Sequence, residues 1–168
     1  MKIFLATDHA GFELKEKVKN FLGEKGYTVV DCGATNLDPN DDYPDFIAKA
    51  AKGVSEDPEN SRGIIFGGSG QAEAMVANKF KNVRCALFYA AISPIGAADV
   101  TGRTSEDPFE MIRLTREHNN ANMLSIGARF VSEEDTKKAV ELWLVNQFSG
   151  AERHIRRLDK IKKIENYG

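Results

Sequence analysis

The sequence predicts an α/β protein with a parallel sheet and helices on both faces. Three observations carry this prediction: short apolar runs rich in β-branched residues, longer stretches with helical spacing, and regular alternation of the two. At 168 residues the chain has the length of one such domain.

Lys2–Thr7 reads as the first strand. Phe12, Leu14, Val18, Phe21 and Leu22 then recur at helical spacing, and Gly26 suits the helix end. Tyr27–Cys32 is the second strand. Pro44 opens a second helix through Phe46, Ile47, Ala50 and Ala51, which the Asp57–Ser61 stretch ends. Gly63–Phe66 is the third strand, and a third helix follows Gly70, carrying Met75, Val76 and Phe80. Arg84–Tyr89 and Met123–Ile126 complete the strands. Met111, Ile112 and Leu114 mark a helix between them, and another runs from about Ser132 to Phe148.

Two stretches break the rhythm. Between Tyr89 and Pro108 no period is visible, over a length well beyond the roughly 2–6 residues usual for such connections. The second is the tail from Arg153 to Gly168. Its six basic and two acidic residues give a local charge of +4, and Ile155, Leu158, Ile161 and Ile164 supply a narrow apolar stripe for docking.

Composition excludes several functions. The apolar fraction of 42% suits a globular core, and a net charge of −2 offers no basic field for nucleic acid. Cys32 and Cys85 are too few and too distant for a disulfide framework or a zinc site, and read as reduced core residues. The N-terminal apolar run ends at Asp8 without a cleavage-type stretch, so no signal peptide is expected. No segment approaches the roughly 20 apolar residues that span a bilayer. The expectation is a soluble, cytoplasmic protein with no membrane partner.

In open α/β sheets ligands bind beyond the carboxyl ends of the strands, and four polar clusters fall there or just beyond. Thr7-Asp8-His9-Ala10-Gly11 follows strand one; Asp8 serves equally as a helix cap, a role that does not require His9. Gly67-Gly68-Ser69-Gly70-Gln71-Ala72-Glu73 lets the backbone approach a ligand and offers amide donors to a phosphate or an enediolate oxygen. It is a poor dinucleotide fingerprint, lacking the last glycine and following the wrong strand. Glu73 lies in the first helical turn, where compensation of the helix dipole is the alternative role. Arg116-Glu117-His118-Asn119-Asn120 ends the fourth helix, with Arg129 shortly after strand five. In the tail, Arg153 and Arg157 share a helix face beside His154, able to fork onto a phosphate or to form a solvated basic surface. Each of the three histidines falls in a different one of these clusters, which favours one site holding an anion and titratable groups.

Together these clusters resemble the ribose-5-phosphate isomerase B family, which includes the galactose-6-phosphate isomerase subunits. The matching stretches are Asp8–Phe12, Asp42-Tyr43-Pro44-Asp45, Gly67–Glu73 with Ala77-Asn78-Lys79, Arg116–Asn119, Gly127-Ala128-Arg129 and Arg153–Arg157. The resemblance implies a Rossmann-like three-layer α/β/α domain over residues 1–168, with a five-stranded parallel sheet and a basic helix at 152–166. It implies an aldose–ketose isomerase that interconverts ribose 5-phosphate and ribulose 5-phosphate through an enediolate, without metal or organic cofactor. The partner it implies is a second copy, in a homodimer with shared active sites or in a tetramer.

The same resemblance implies roles. Asp8 and His9 contact the sugar and its phosphate, while Ser69 with Gly68, Gly70, Gln71 and Ala72 stabilises the enediolate. His118 assists ring opening with Asn119 as a polar partner, and Arg129, Arg153 and Arg157 hold the phosphate. Many members place a cysteine base where this chain has Gly67. The chain instead resembles the subgroup with a Gly-Gly-Ser-Gly loop and a glutamate base, here Glu73. The helix dipole is expected to lower the basicity of that carboxylate, and desolvation by bound sugar to offset this. The stretch at about 91–107 reads as an insertion that lines the pocket. The alternatives are a six-carbon substrate of the galactose 6-phosphate or allose 6-phosphate type, and a non-catalytic sugar-phosphate binding module.

Overall fold

A computed structural model describes residues 1–167. Gly168, the end of the basic tail, lies outside the described residues. The strands are β1 (Lys2–Ala6), β2 (Thr28–Asp31), β3 (Ser61–Gly67), β4 (Cys85–Phe88) and β5 (Met123–Gly127). The helices are α1 (Phe12–Glu24), α2 (Tyr43–Glu56), α3 (Gln71–Ala77), α4 (Glu110–Glu117), α5 (Glu133–Val145) and α6 (Glu152–Ile164). Among the described residues, 1–89 with 121–137 form one compact unit, and 90–120 with 138–167 a second.

The first unit holds the whole sheet, ordered β2-β1-β3-β5-β4 with every neighbouring pair parallel. All five carboxyl ends therefore share one edge. Alternation along the strands divides the apolar residues between two faces. Ala6, Ile65 and Met123 pack with Ile47, Ala50, Ala51 and Val54 of α2 and with Ala77 of α3. Ile3, Leu5, Ile64, Phe66, Leu124 and Ile126, all fully buried, alternate with that set. Burial on both faces explains why these strands read as nearly continuous apolar runs.

One expected detail changes. The third helix stops at Ala77, leaving Phe80 beyond it, and its Met75 is exposed. The Asn78 side chain ends the helix: its amide donates to the carbonyls of Ala74 and Cys85, and its Oδ1 accepts from the Cys85 amide. That fork steers the chain into β4. Elsewhere the buried Lys15 amine donates to both Asp31 oxygens and the Ala34 carbonyl, anchoring the loop that leaves β2.

In the second unit Phe109, Ile112, Val140 and Trp143 are buried. Arg116 is buried with them; its guanidinium lies 6.0 Å from the Trp143 ring centroid and donates to Asn120 Oδ1 and the Asn146 carbonyl. The apolar stripe of α6 stays open: Ile155, Ile161 and Ile164 are exposed, and the one residue of the helix that is fully turned inward is His154.

Candidate active site

In the first unit three strand ends build the site. Asp8, just past β1, is almost fully buried, and its Oδ1 accepts the Ala10 amide of a single 3-10 turn, His9–Gly11. The capping role is thus present. It also leaves His9 projecting at the rim, and one oxygen of Asp41 fixes that residue twice. Asp41 Oδ1 accepts the His9 amide at 3.0 Å and meets the ring Nδ1 at 2.7 Å. This pairing raises the His9 pKa, with the charge of Asp8 adding to it and burial and Arg129 opposing. Donor atoms of Asp8, His9 and Asp41 lie within 4.8 Å of one another, close enough for a cation, but the ring nitrogen facing Asp41 is already engaged. Beside His9, a cavity of about 400 Å³ is bounded by Glu13, Lys17, Leu37, Ala128 and Glu133.

The glycine loop follows β3. Gly70 has a positive φ of 75°, and a Cβ there would press on Leu87 and the Ile126 backbone. The buried Ser125 hydroxyl donates to the Gly70 carbonyl at 2.6 Å and ties the loop to β5. Ser69 Oγ accepts the Gln71 amide at 3.4 Å, while Gln71 itself points to solvent and Ala72 is half-buried. After β5 the Ala128 and Arg129 amides donate to the carbonyls of Gly67 and Gly68. The Arg129 guanidinium sits 3.4 Å from where a Gly68 Cβ would stand.

Glu73 is the titratable group buried in this cluster. It is only 4% exposed, and its carboxylate fills the space beside Gly67: a Cβ on residue 67 would coincide with the Glu73 carboxylate oxygens. Its Oε2 is buried without a hydrogen-bond partner. Burial raises the pKa; its own backbone amide opposes and the nearby Asp8 charge assists. The direction is opposite to that expected from the helix dipole alone. The fold itself desolvates the carboxylate before any sugar arrives.

The second unit gathers the remaining candidates. His118 caps the C-terminus of α4 and stacks on His154 of α6, with ring centroids 4.2 Å apart and planes 15° from parallel. His154 is 3% exposed with Nε2 unpartnered, and burial lowers its pKa, helped by His118, Arg153 and Arg157. Both histidines, Arg153, Arg157 and residues Ala98–Val100 line a cavity of about 270 Å³. Asn119 follows His118 directly. Sequence reasoning missed Asp41, which stands one residue before the matched Asp42–Asp45 stretch, and undervalued His154. The signals for His154 were its place beside Arg153 and the fall of each histidine in a different polar cluster.

A doubly wound parallel sheet whose carboxyl edge carries a glycine loop, a desolvated carboxylate, a histidine and an arginine defines an α/β enzyme for small anionic substrates. The sequence profile of the Ribose/Galactose Isomerase family matches residues 3–99 and 104–161, and the chain belongs to that family. Of the stretch at about 91–107 read as an insertion, the profile leaves only Val100–Arg103 unmatched. The chain is 37% identical to ribose-5-phosphate isomerase B of Mycolicibacterium paratuberculosis over 165 residues, covering 98% of this chain and 92% of that protein. It is similar to the crystal structure of Mycoplasma genitalium ribose-5-phosphate isomerase B with bound ribulose-5-phosphate, at a TM-score of 0.85 and 36% identity, covering 99% and 97% of the two chains. The Clostridium thermocellum ribose-5-phosphate isomerase B structure matches at a TM-score of 0.82 and 34% identity, over 98% and 97%.

Proposed function

We propose that this chain interconverts ribose 5-phosphate and ribulose 5-phosphate, with Glu73 moving the carbon-bound proton between C2 and C1. The observation that carries the reading is the Glu73 carboxylate standing in the side-chain space of Gly67. Where many family members present a cysteine base, this chain presents a carboxylate oxygen instead. Burial gives that oxygen a raised proton affinity, suited to a group that must both take and return a proton.

The other roles follow the chemistry. Ser69 and the loop amides carry the charge that develops on the enediolate oxygen. Asp8 holds sugar hydroxyls, and His9 and Arg129 offer positive charge to the phosphate. His118, with Asn119 beside it, exchanges the proton of the furanose oxygen on ring opening. Arg153 and Arg157 grip phosphate in a homodimer with shared sites. The exposed stripe of Ile155, Ile161 and Ile164 supports a second copy as the partner of α6. No helix among the described residues is long and apolar enough to cross a membrane, and a cytoplasmic setting suits the substrate.

The test is isomerisation by the purified homomeric protein, run on ribose 5-phosphate beside galactose 6-phosphate and allose 6-phosphate. Conversion of the pentose phosphate with the higher kcat/KM supports the reading. Preference for a hexose phosphate replaces the substrate, and no turnover of any sugar leaves a binding module.

A further inference from the structure

The chain leaves its family profile at Val100–Arg103, and there it forms a tightly bonded turn. Asp99 Oδ1 accepts the Thr101 amide at 2.8 Å and the Thr101 hydroxyl at 2.6 Å. The Gly102 amide, at a φ of 81°, donates to the Asp99 carbonyl, and the Ala98 amide to the Arg103 carbonyl. The turn presents the Arg103 guanidinium to α4. Its Nη2 lies 2.8 Å from Glu110 Oε1 and 3.1 Å from Glu117 Oε2, while Nε lies 3.4 Å from Asp99 Oδ2.

Glu110 and Glu117 are the first and last residues of α4, seven apart and so on one face of a two-turn helix. A helix that short does not hold itself in place and depends on such contacts. The Glu110 side chain is 5% exposed, so loss of its cation would leave a buried carboxylate uncompensated. His118 follows Glu117 directly and makes its stack with His154 from there. The same turn supplies Ala98, Asp99 and Val100 to the cavity wall at those rings.

We propose that Arg103 is a positioning residue for His118. It staples the 98–103 turn to both ends of α4, and so holds His118 against His154 and the wall of their cavity in place. The kinetic consequence rests on the reading of His118 as the ring-opening group; the structural consequence does not.

Three histidines make the test direct, because the imidazole Cε1–H resonances of His9, His118 and His154 can each be followed by NMR. Arg103→Met keeps the aliphatic stem and removes the charge. Arg103→Met/Glu110→Gln also removes the buried carboxylate left behind, so it folds even where the single variant does not. Arg103→Lys returns one charge without the fork. The His118 and His154 resonances are expected to shift in both Met variants as mutual ring stacking is lost, with His9 unmoved. Turnover of ribose 5-phosphate should fall about 10-fold, a modest misplacement, with less change in KM and part of the loss recovered by lysine. Unchanged His118 and His154 resonances in a folded Met variant overturn the proposal. Shifted resonances with unchanged turnover support the staple and overturn the ring-opening role of His118.

Discussion

Replacing Glu73 by glutamine should stop the chemistry and stabilise the protein at once. The variant keeps size and polarity but cannot accept a proton, and general-base loss costs about 10²- to 10⁴-fold in turnover, or about 3–5 kcal/mol of barrier. The stability effect has the opposite sign. A carboxyl whose folded pKa is raised contributes stability that is complete below its unfolded value, near 4.5, and lost as pH rises through the folded value. At neutral pH the buried, unpartnered carboxylate therefore weakens the fold. Glutamine removes the charge but keeps a polar atom buried there, so the gain should be about 1 kcal/mol, the lower end for an uncompensated buried group. For a chain of this size that is a rise of about 2–4 °C in Tm. The assays are ketose formation, deuterium exchange at C2 and thermal unfolding across pH. Turnover within a few-fold of the parent refutes the base assignment, and a Tm gain as large at pH 4 as at pH 8 refutes the desolvation argument.

Gly67→Ala should lower turnover about as much as Glu73→Gln, because the new methyl group claims the space of the Glu73 carboxylate; kcat measured beside a circular dichroism spectrum checks this. Asp41→Asn should lower the His9 pKa, since Asp41 is the leading cause of its rise, so KM for the sugar phosphate should begin to climb at a lower pH than in the parent. The stability contributed by this raised histidine is present below about 6.5 and lost as pH rises through the folded value, so Asp41→Asn should destabilise more at pH 5.5 than at pH 9, read by denaturant midpoints. Mixing Arg153→Ala/Arg157→Ala with Glu73→Gln subunits should restore part of the activity if sites are shared between copies; exchanged subunits that stay inactive contradict the sharing.

The alternation of apolar strands and amphipathic helices settled the fold class, because burial on both faces leaves runs that local spacing reveals. Glycines that must turn or approach closely, as at 67–70, are legible for the same reason: their constraint is local. The strand order β2-β1-β3-β5-β4 is not local, and only the folded sheet decides it. The same holds for contacts between distant segments. Asp41 was one carboxylate among several in an acidic loop, and nothing near it names His9, 32 residues away, as its partner. His118 and His154 meet across 36 residues, and Arg103 finds Glu110 and Glu117 only once α4 has formed. The sequence by itself determined that the Asp8–Gly11 and Gly67–Glu73 stretches follow the first and third strands, and which family the chain resembles. Tertiary structure alone decided that Glu73 is desolvated and fills the space left by Gly67. Proton affinity depends on burial and neighbouring charge, which do not exist until the chain has closed around the group.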